Sequence, residues 1–174
     1  MRKFIFEIRP YQTEAVAQVL TEFENGRDSV LLESPVGSGK TVMGLLIIQK
    51  LQAQANGRLR VNWVASRRHI LEQTQDLNDS FFHCDINMVS VFAANPPKAD
   101  LVVLDELNIA LHYGWLPLDD VLASLRSRKP ELNVVVTGRY APDALLEISD
   151  LISEIKAVRH PYEKGIPARP GIDF

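Results

Sequence analysis

The stretch Ser34-Pro-Val-Gly-Ser-Gly-Lys-Thr41 constrains this chain more than any other. An apolar run, Val30-Leu31-Leu32, leads into it. A helix-forming run from Lys40 follows, in which Val42, Met43, Leu45 to Ile48 and Leu51 leave almost no polar side. Strand, glycine loop and buried helix in that order form a cradle in which backbone N–H groups and a helix N-terminus converge on an anion. Val36, Gly37, Ser38 and Gly39 supply the N–H groups of such a loop. Lys40 would bridge the β- and γ-phosphates of a nucleotide, and Thr41 would offer its hydroxyl to Mg²⁺. The cofactors so implied are ATP and Mg²⁺.

A second apolar run, Leu101–Leu104, ends in Asp105 and Glu106. A carboxylate at the end of a buried strand beside a phosphate loop suits Mg²⁺ held through its water shell, which assigns Asp105 to the metal. Glu106 is then placed to orient or deprotonate an attacking water, the catalytic role. Leu101–Leu104 and Val134–Val136 are continuous β-formers, the mark of strands covered on both faces of a parallel sheet. Further strands are expected at 4–8, 29–33, 61–65, 88–93 and 155–158. Helices are expected from Pro10 to Gly26, over 40–55, 67–77 and 118–128, and from Pro142. This alternation predicts an α/β three-layer fold with a mainly parallel central sheet. Arg139 follows a buried strand on the side where open parallel sheets take their ligands, so it joins the nucleotide-binding set.

Net charge is −3 with an isoelectric point near 5.8, which excludes a global basic field for nucleic acid. The single cysteine, Cys84, excludes an internal disulfide. Glu7 and Arg9 interrupt the N-terminal apolar stretch too early for a signal peptide, and no window reaches the length of a membrane span. A cytoplasmic domain is expected. His83-Cys84-Asp85 and the scattered His69, His112 and His160 match no common metal spacing. Tyr113 and Trp115 read as packing for the loop before Leu118.

Two family resemblances follow from these motifs. Residues 1 to about 100 resemble the first RecA-like domain of a superfamily 2 helicase, through "RPYQTEAV", "SPVGSGKT", "VNWVASRRHILEQ" and "VSVFAANPPKADLVVLDE". That likeness implies a RecA-like P-loop fold in which Gln12 reads the adenine edge, with Arg9 and Tyr11 nearby. Arg67-Arg68-His69 reads equally as a solvated face or as the contact to nucleic-acid phosphate that the helicase resemblance implies. Residues from about 99 to 174 resemble the C-terminal part of the cob(I)yrinic acid a,c-diamide (corrinoid) adenosyltransferases, through "DELN", the "VVVTGR.AP" strand and loop, and the closing "HPY..GI.AR.GIDF". The two likenesses meet at 99–106. They imply one P-loop domain over 1–174, recombined from two parents by engineering or natural fusion, with an irregular tail at 160–174.

The resemblances carry three functional expectations. The first is a domain that binds ATP–Mg²⁺ and hydrolyses it weakly at most, because a helicase motor takes an arginine finger from a second RecA-like domain. The second is an adenosyltransferase that moves the 5′-deoxyadenosyl group of ATP to a reduced corrinoid such as cobalamin, releasing triphosphate. No stretch between Val61 and Asp100 matches the Gly-Phe-Thr-Trp segment of that family, so little of this activity is expected. The third is an ATPase fragment that binds nucleic acid.

Overall fold

The computed structural model describes residues 7–156. Pro10–Glu24 forms α1, opened by a proline whose missing N–H costs nothing at that position. Strand β1 (Ser29–Glu33) feeds the glycine loop and then α2 (Lys40–Gln54). Next come β2 (Val61–Ala65), α3 (Arg68–Leu77) running into a π-helical turn at Asn78–Phe82, and β3 (Asn87–Ser90). The second half contains β4 (Leu101–Leu104), α4 (Leu107–His112), α5 (Leu118–Arg126), β5 (Asn133–Gly138), α6 (Asp143–Leu146) and β6 (Leu151–Glu154).

The six strands lie in the order β3-β2-β4-β5-β1-β6, and every pairing between them is parallel. Alternate side chains of each strand go to opposite faces. Val30, Leu32, Val103 and Val135 join α1, α2 and Trp63 in one core layer. Leu31, Val134 and Val136 join Leu107, Leu111, Leu122 and Leu145 of α4, α5 and α6 in the other. The expected three-layer α/β architecture with a parallel sheet is what the chain adopts. Because all strands point the same way, the loop after β1 and the exits of β5 and β4 sit side by side at one edge. Strand β5 lies between the other two.

Trp63 is fully buried against α2 at Gly44, where an added Cβ would lie 2.6 Å from Cη2 and 2.8 Å from Cζ3 of the indole. A rigid ring in a filled layer cannot yield cheaply, so Gly44→Ala should destabilise the fold by about 1–3 kcal/mol despite alanine's better helix propensity. Urea unfolding of the two proteins checks this; an unchanged or raised midpoint would refute it.

Several expected boundaries move. Strand β3 covers 87–90 rather than 88–93, because the Phe92 N–H turns back to the Ser90 hydroxyl and the Ala93 N–H donates to the Ser90 carbonyl. The last strand among the described residues is 151–154; of the expected 155–158, residues 155 and 156 are not in a strand, and 157 and 158 lie outside the described residues. Its register with β1 runs from Val30↔Leu151 to Glu33↔Glu154, and β1 then gives way to the loop. Helix α5 stops at Arg126 rather than 128. Helix α4 was not anticipated at all. Residues 7 and 8, the end of the expected first strand, are not extended in a sheet; the rest of that segment and the 160–174 tail lie outside the described residues. No helix among the described residues is long and apolar enough to cross a membrane.

Candidate functional site

The glycine loop is held open by its own side chains. Gly37 and Gly39 have φ of +75° and +79°, a region that glycine alone enters freely, and this turns successive N–H groups toward one side. Ser34 stands where a glycine is usual in such loops. Its hydroxyl shares a 2.8 Å hydrogen bond with that of Ser38, and the Ser38 hydroxyl reaches the Pro35 carbonyl at 2.7 Å. Ser38 is thus a buried strut, whereas Val36, Gly37, Gly39, Lys40 and Thr41 line a cleft of about 1130 Å³.

Across the cleft stand the carboxylates. Asp105 is 5% exposed, and the Thr137 hydroxyl donates to its Oδ1 at 2.6 Å. Burial pushes its carboxyl up to about 6. The Thr137 hydrogen bond works against that rise, the Glu106 charge adds to it, and the Lys40 ammonium opposes it. Glu106 adopts φ +60°, costly for a residue with a Cβ, while its N–H donates to the Thr137 hydroxyl at 3.2 Å. The Lys40 ammonium lies 3.1 Å from Glu106 Oε1 and donates to the Pro35 carbonyl at 3.3 Å. Glu106 Oε2 is buried without a hydrogen-bond partner. The lysine is thus held between a carboxylate and a carbonyl at the mouth of the loop.

Helix α1 reaches the loop through Gln12. The Gln12 Nε2 donates to the Ser38 carbonyl at 2.9 Å, and its Oε1 accepts the Arg9 N–H at 2.9 Å; the Tyr11 hydroxyl donates to the same Ser38 carbonyl at 2.7 Å. Each end of the Gln12 amide keeps one further hydrogen-bonding capacity, which a purine edge would require. Arg9, Gln12 and Arg139 all line the cleft. Of the residues assigned from sequence to the nucleotide, the metal or catalysis, only Ser38 is absent from its wall.

Other wall residues were read differently or missed. Tyr113 and Trp115 do not simply pack a loop. They are 58% and 49% exposed, their rings stack at 5.5 Å, and both line the cleft. The Arg67 guanidinium lies over the Trp115 ring at 5.0 Å, while Arg68 pairs with Glu72 at the surface. Contacts continue from Tyr113 to His112 at 5.1 Å, from His112 to Tyr140 at 4.8 Å, and from the Tyr140 ring to the Arg139 guanidinium at 5.2 Å. A row of rings therefore runs from one cleft-lining arginine to the other, with Tyr113 and Trp115 on the cleft wall. Thr137, which holds Asp105, carried a usable signal in its place at the end of an apolar run.

Comparison with known proteins adds three findings. A model of the family described as ATP:corrinoid adenosyltransferase BtuR/CobO/CobP matches residues 46–174. The match begins inside α2 and takes in β2, α3 and β3, the region that the sequence likens to helicases. A corrinoid adenosyltransferase of Pseudomonas aeruginosa is 47% identical over 78 residues, which are 45% of this chain and 38% of that protein. The corrinoid adenosyltransferase CobA of Salmonella typhimurium is 38% identical over 78 residues, 45% of this chain and 40% of that protein. The match takes in well under half of each relative's own length. Among solved structures, the SWI2/SNF2 ATPase core of Sulfolobus solfataricus in complex with dsDNA has a TM-score of 0.59 at 12% identity. It covers 83% of this chain and 36% of that one, a likeness of fold alone.

Proposed function

The chain belongs to the ATP:corrinoid adenosyltransferase BtuR/CobO/CobP family, and on that premise we propose that its cleft binds ATP–Mg²⁺ and passes the 5′-deoxyadenosyl group to a reduced corrinoid. The observation that carries this reading is the family match across residues 46–174, which includes Asp105, Glu106 and Arg139 on the wall facing Lys40 and Thr41. In this reading Lys40 exchanges Glu106 for the phosphates, and the N–H groups of Val36 to Gly39 cradle them. Gln12 and Arg9 face the base. The reduced cobalt of the substrate attacks C5′ of ATP, and triphosphate leaves with the electron pair of the broken C–O bond. The exposed rings of Tyr113 and Trp115 offer the flat corrinoid an apolar face on the wall of the same cleft.

The residues present suit Mg²⁺. Among the described residues no three His, Cys, Asp or Glu side chains gather into a cage. That is consistent with an ion held by Thr41, Asp105 and the substrate phosphates together rather than by protein alone. The ion would supply charge neutralisation on the departing triphosphate. We assign Glu106 to orienting water in whatever hydrolysis occurs.

The expectation of little transfer activity rested on the missing Gly-Phe-Thr-Trp segment between Val61 and Asp100. The family match extends across that stretch, and this favours the transferase reading. We further propose that residues 1–174 form one P-loop unit whose 1–100 half shares its motif order with helicases. A parental junction at 99–106 is the finer form of that idea; a match that starts at residue 46 supports an earlier junction.

The test is anaerobic: chemically reduced cobalamin, ATP and Mg²⁺ with the protein, followed by absorbance and phosphate analysis. Adenosylcobalamin and triphosphate in equal amounts, each requiring both substrates, is the expected result. Orthophosphate release that ignores corrinoid, or that rises with single-stranded nucleic acid, would replace this reading with an ATPase one.

A further inference from the structure

We infer that Glu33 is a positioning residue that aims Arg139 at the terminal phosphate of the bound nucleoside triphosphate. The inference rests on the nucleotide part of the proposed function and needs nothing of the corrinoid part.

Glu33 is the last residue of β1, immediately before the glycine loop. Its Oε1 accepts two successive backbone N–H groups, from Tyr140 at 3.0 Å and Ala141 at 3.3 Å. Tyr140 has φ +62°, a conformation that a bulky residue holds only when its surroundings fix it. The carboxylate is what fixes it, by drawing both N–H groups to one oxygen. On the near side of the same turn, Gly138 pairs in register with Glu33, and its carbonyl accepts the Ser34 N–H at 2.9 Å. Gly138 has φ +145°, and a Cβ there would lie 2.8 Å from Cβ of the fully buried Asn108, so the turn has no room to shift toward α4. Residues 138–141 are therefore tied at both ends to the root of the phosphate loop, with Arg139 between the ties.

Arg139 itself has an unmet need. Its Nε is buried with no hydrogen-bond partner, while the guanidinium rests over the Tyr140 ring and lines the cleft with Lys40 and Glu106. A guanidinium so held calls for an anionic acceptor with several oxygens. Topology says which one. Lys40 and a metal beside Asp105 both address the β- and γ-phosphates. They stand after β1 and β4, and β5 lies between those strands. A phosphate that reaches both therefore lies over the end of β5, where Arg139 emerges.

The prediction is discrimination by phosphate number, read by calorimetry with Mg²⁺ and ATP, ADP or AMP. Arg139→Ala should cut ATP affinity at least about tenfold and leave ADP nearly unchanged, as loss of one charge-assisted contact implies. Glu33→Ala should lower the ATP-to-ADP ratio by a similar factor, yet add little in the Arg139→Ala background, because both changes remove one interaction. Glu33→Gln keeps an acceptor oxygen for the two N–H groups, so it should fall between Glu33→Ala and the unaltered protein. It also covers the case in which Glu33→Ala fails to fold. Equal losses for ATP and ADP in Arg139→Ala, or a full Glu33 effect in its absence, would overturn the assignment while leaving nucleotide binding intact. An unaltered protein that binds neither nucleotide would instead overturn the nucleotide reading, and this assignment with it.

Discussion

Asp105→Asn should make the metal-free protein more stable at pH 7.5, by about 3 kcal/mol, while it removes the part of ATP binding that depends on Mg²⁺. The folded carboxyl titrates near 6 against an ordinary 3.8, so the native state binds this proton more tightly than the unfolded chain does. Stability from this group is therefore fully present at low pH, is lost as pH rises from about 4 through 6, and stays lost above that. Asparagine carries no charge to bury, and its Oδ1 can still accept from the Thr137 hydroxyl that holds Asp105 at 2.6 Å. Urea unfolding in the presence of a chelator should separate the two proteins at pH 7.5 and bring them together near pH 4. A variant less stable than its parent at pH 7.5 would show that the carboxylate contributes net stability. A carboxylate that costs stability and is kept has its use in binding, and the matching titration of ATP with and without Mg²⁺ reads that use.

Loss of Lys40 should have the largest effect on the nucleotide. Lys40→Ala is expected to weaken ATP binding at least tenfold, about 1.4 kcal/mol, with the secondary structure intact by circular dichroism. The ammonium is 8% exposed and already sits among carbonyl and carboxylate oxygens, so it needs little reorganisation to meet a phosphate. Its removal also leaves Glu106 with one carboxylate oxygen unpartnered and the other without its cation. That charge then faces the incoming phosphates. Calorimetry that returned the parent affinity would dismiss the loop as a phosphate site.

How legible all this was depends on the range of the interactions involved. The glycine loop declares itself because its requirements are local: two positive-φ glycines, a lysine, a hydroxyl, and a strand and helix on either side. The strands at 101–104 and 134–136 were legible because burial on both faces demands unbroken apolar β-formers. Helix α4 was not, since six residues are too few for a 3.6-residue period to register. Glu33 reads as an ordinary solvated strand end until β1 is known to lie beside β5, a fact about residues more than 100 positions apart. The wall formed by Tyr113 and Trp115 was hidden for the same reason. Only the sheet order brings the exit of α4 beside the phosphate loop.

That sheet order also decides when the site can exist. Strand β1 pairs on one side with β5, at Ser29↔Val134, and on the other with β6, at Val30↔Leu151. Both neighbours of the strand that carries the phosphate loop are thus synthesised more than 100 residues after it. On the ribosome, β2, β3 and β4 can assemble while Val30, Leu31 and Leu32 still have bare edges on either side. Pairing at such separation is slow, because the chain gives up the entropy of a long loop before any contact offsets it. A fragment that stopped before residue 133 would present an apolar strand with no partner, a segment prone to aggregation rather than a smaller nucleotide-binding protein. The phosphate loop is among the first parts of the chain to be made and among the last to be held in place.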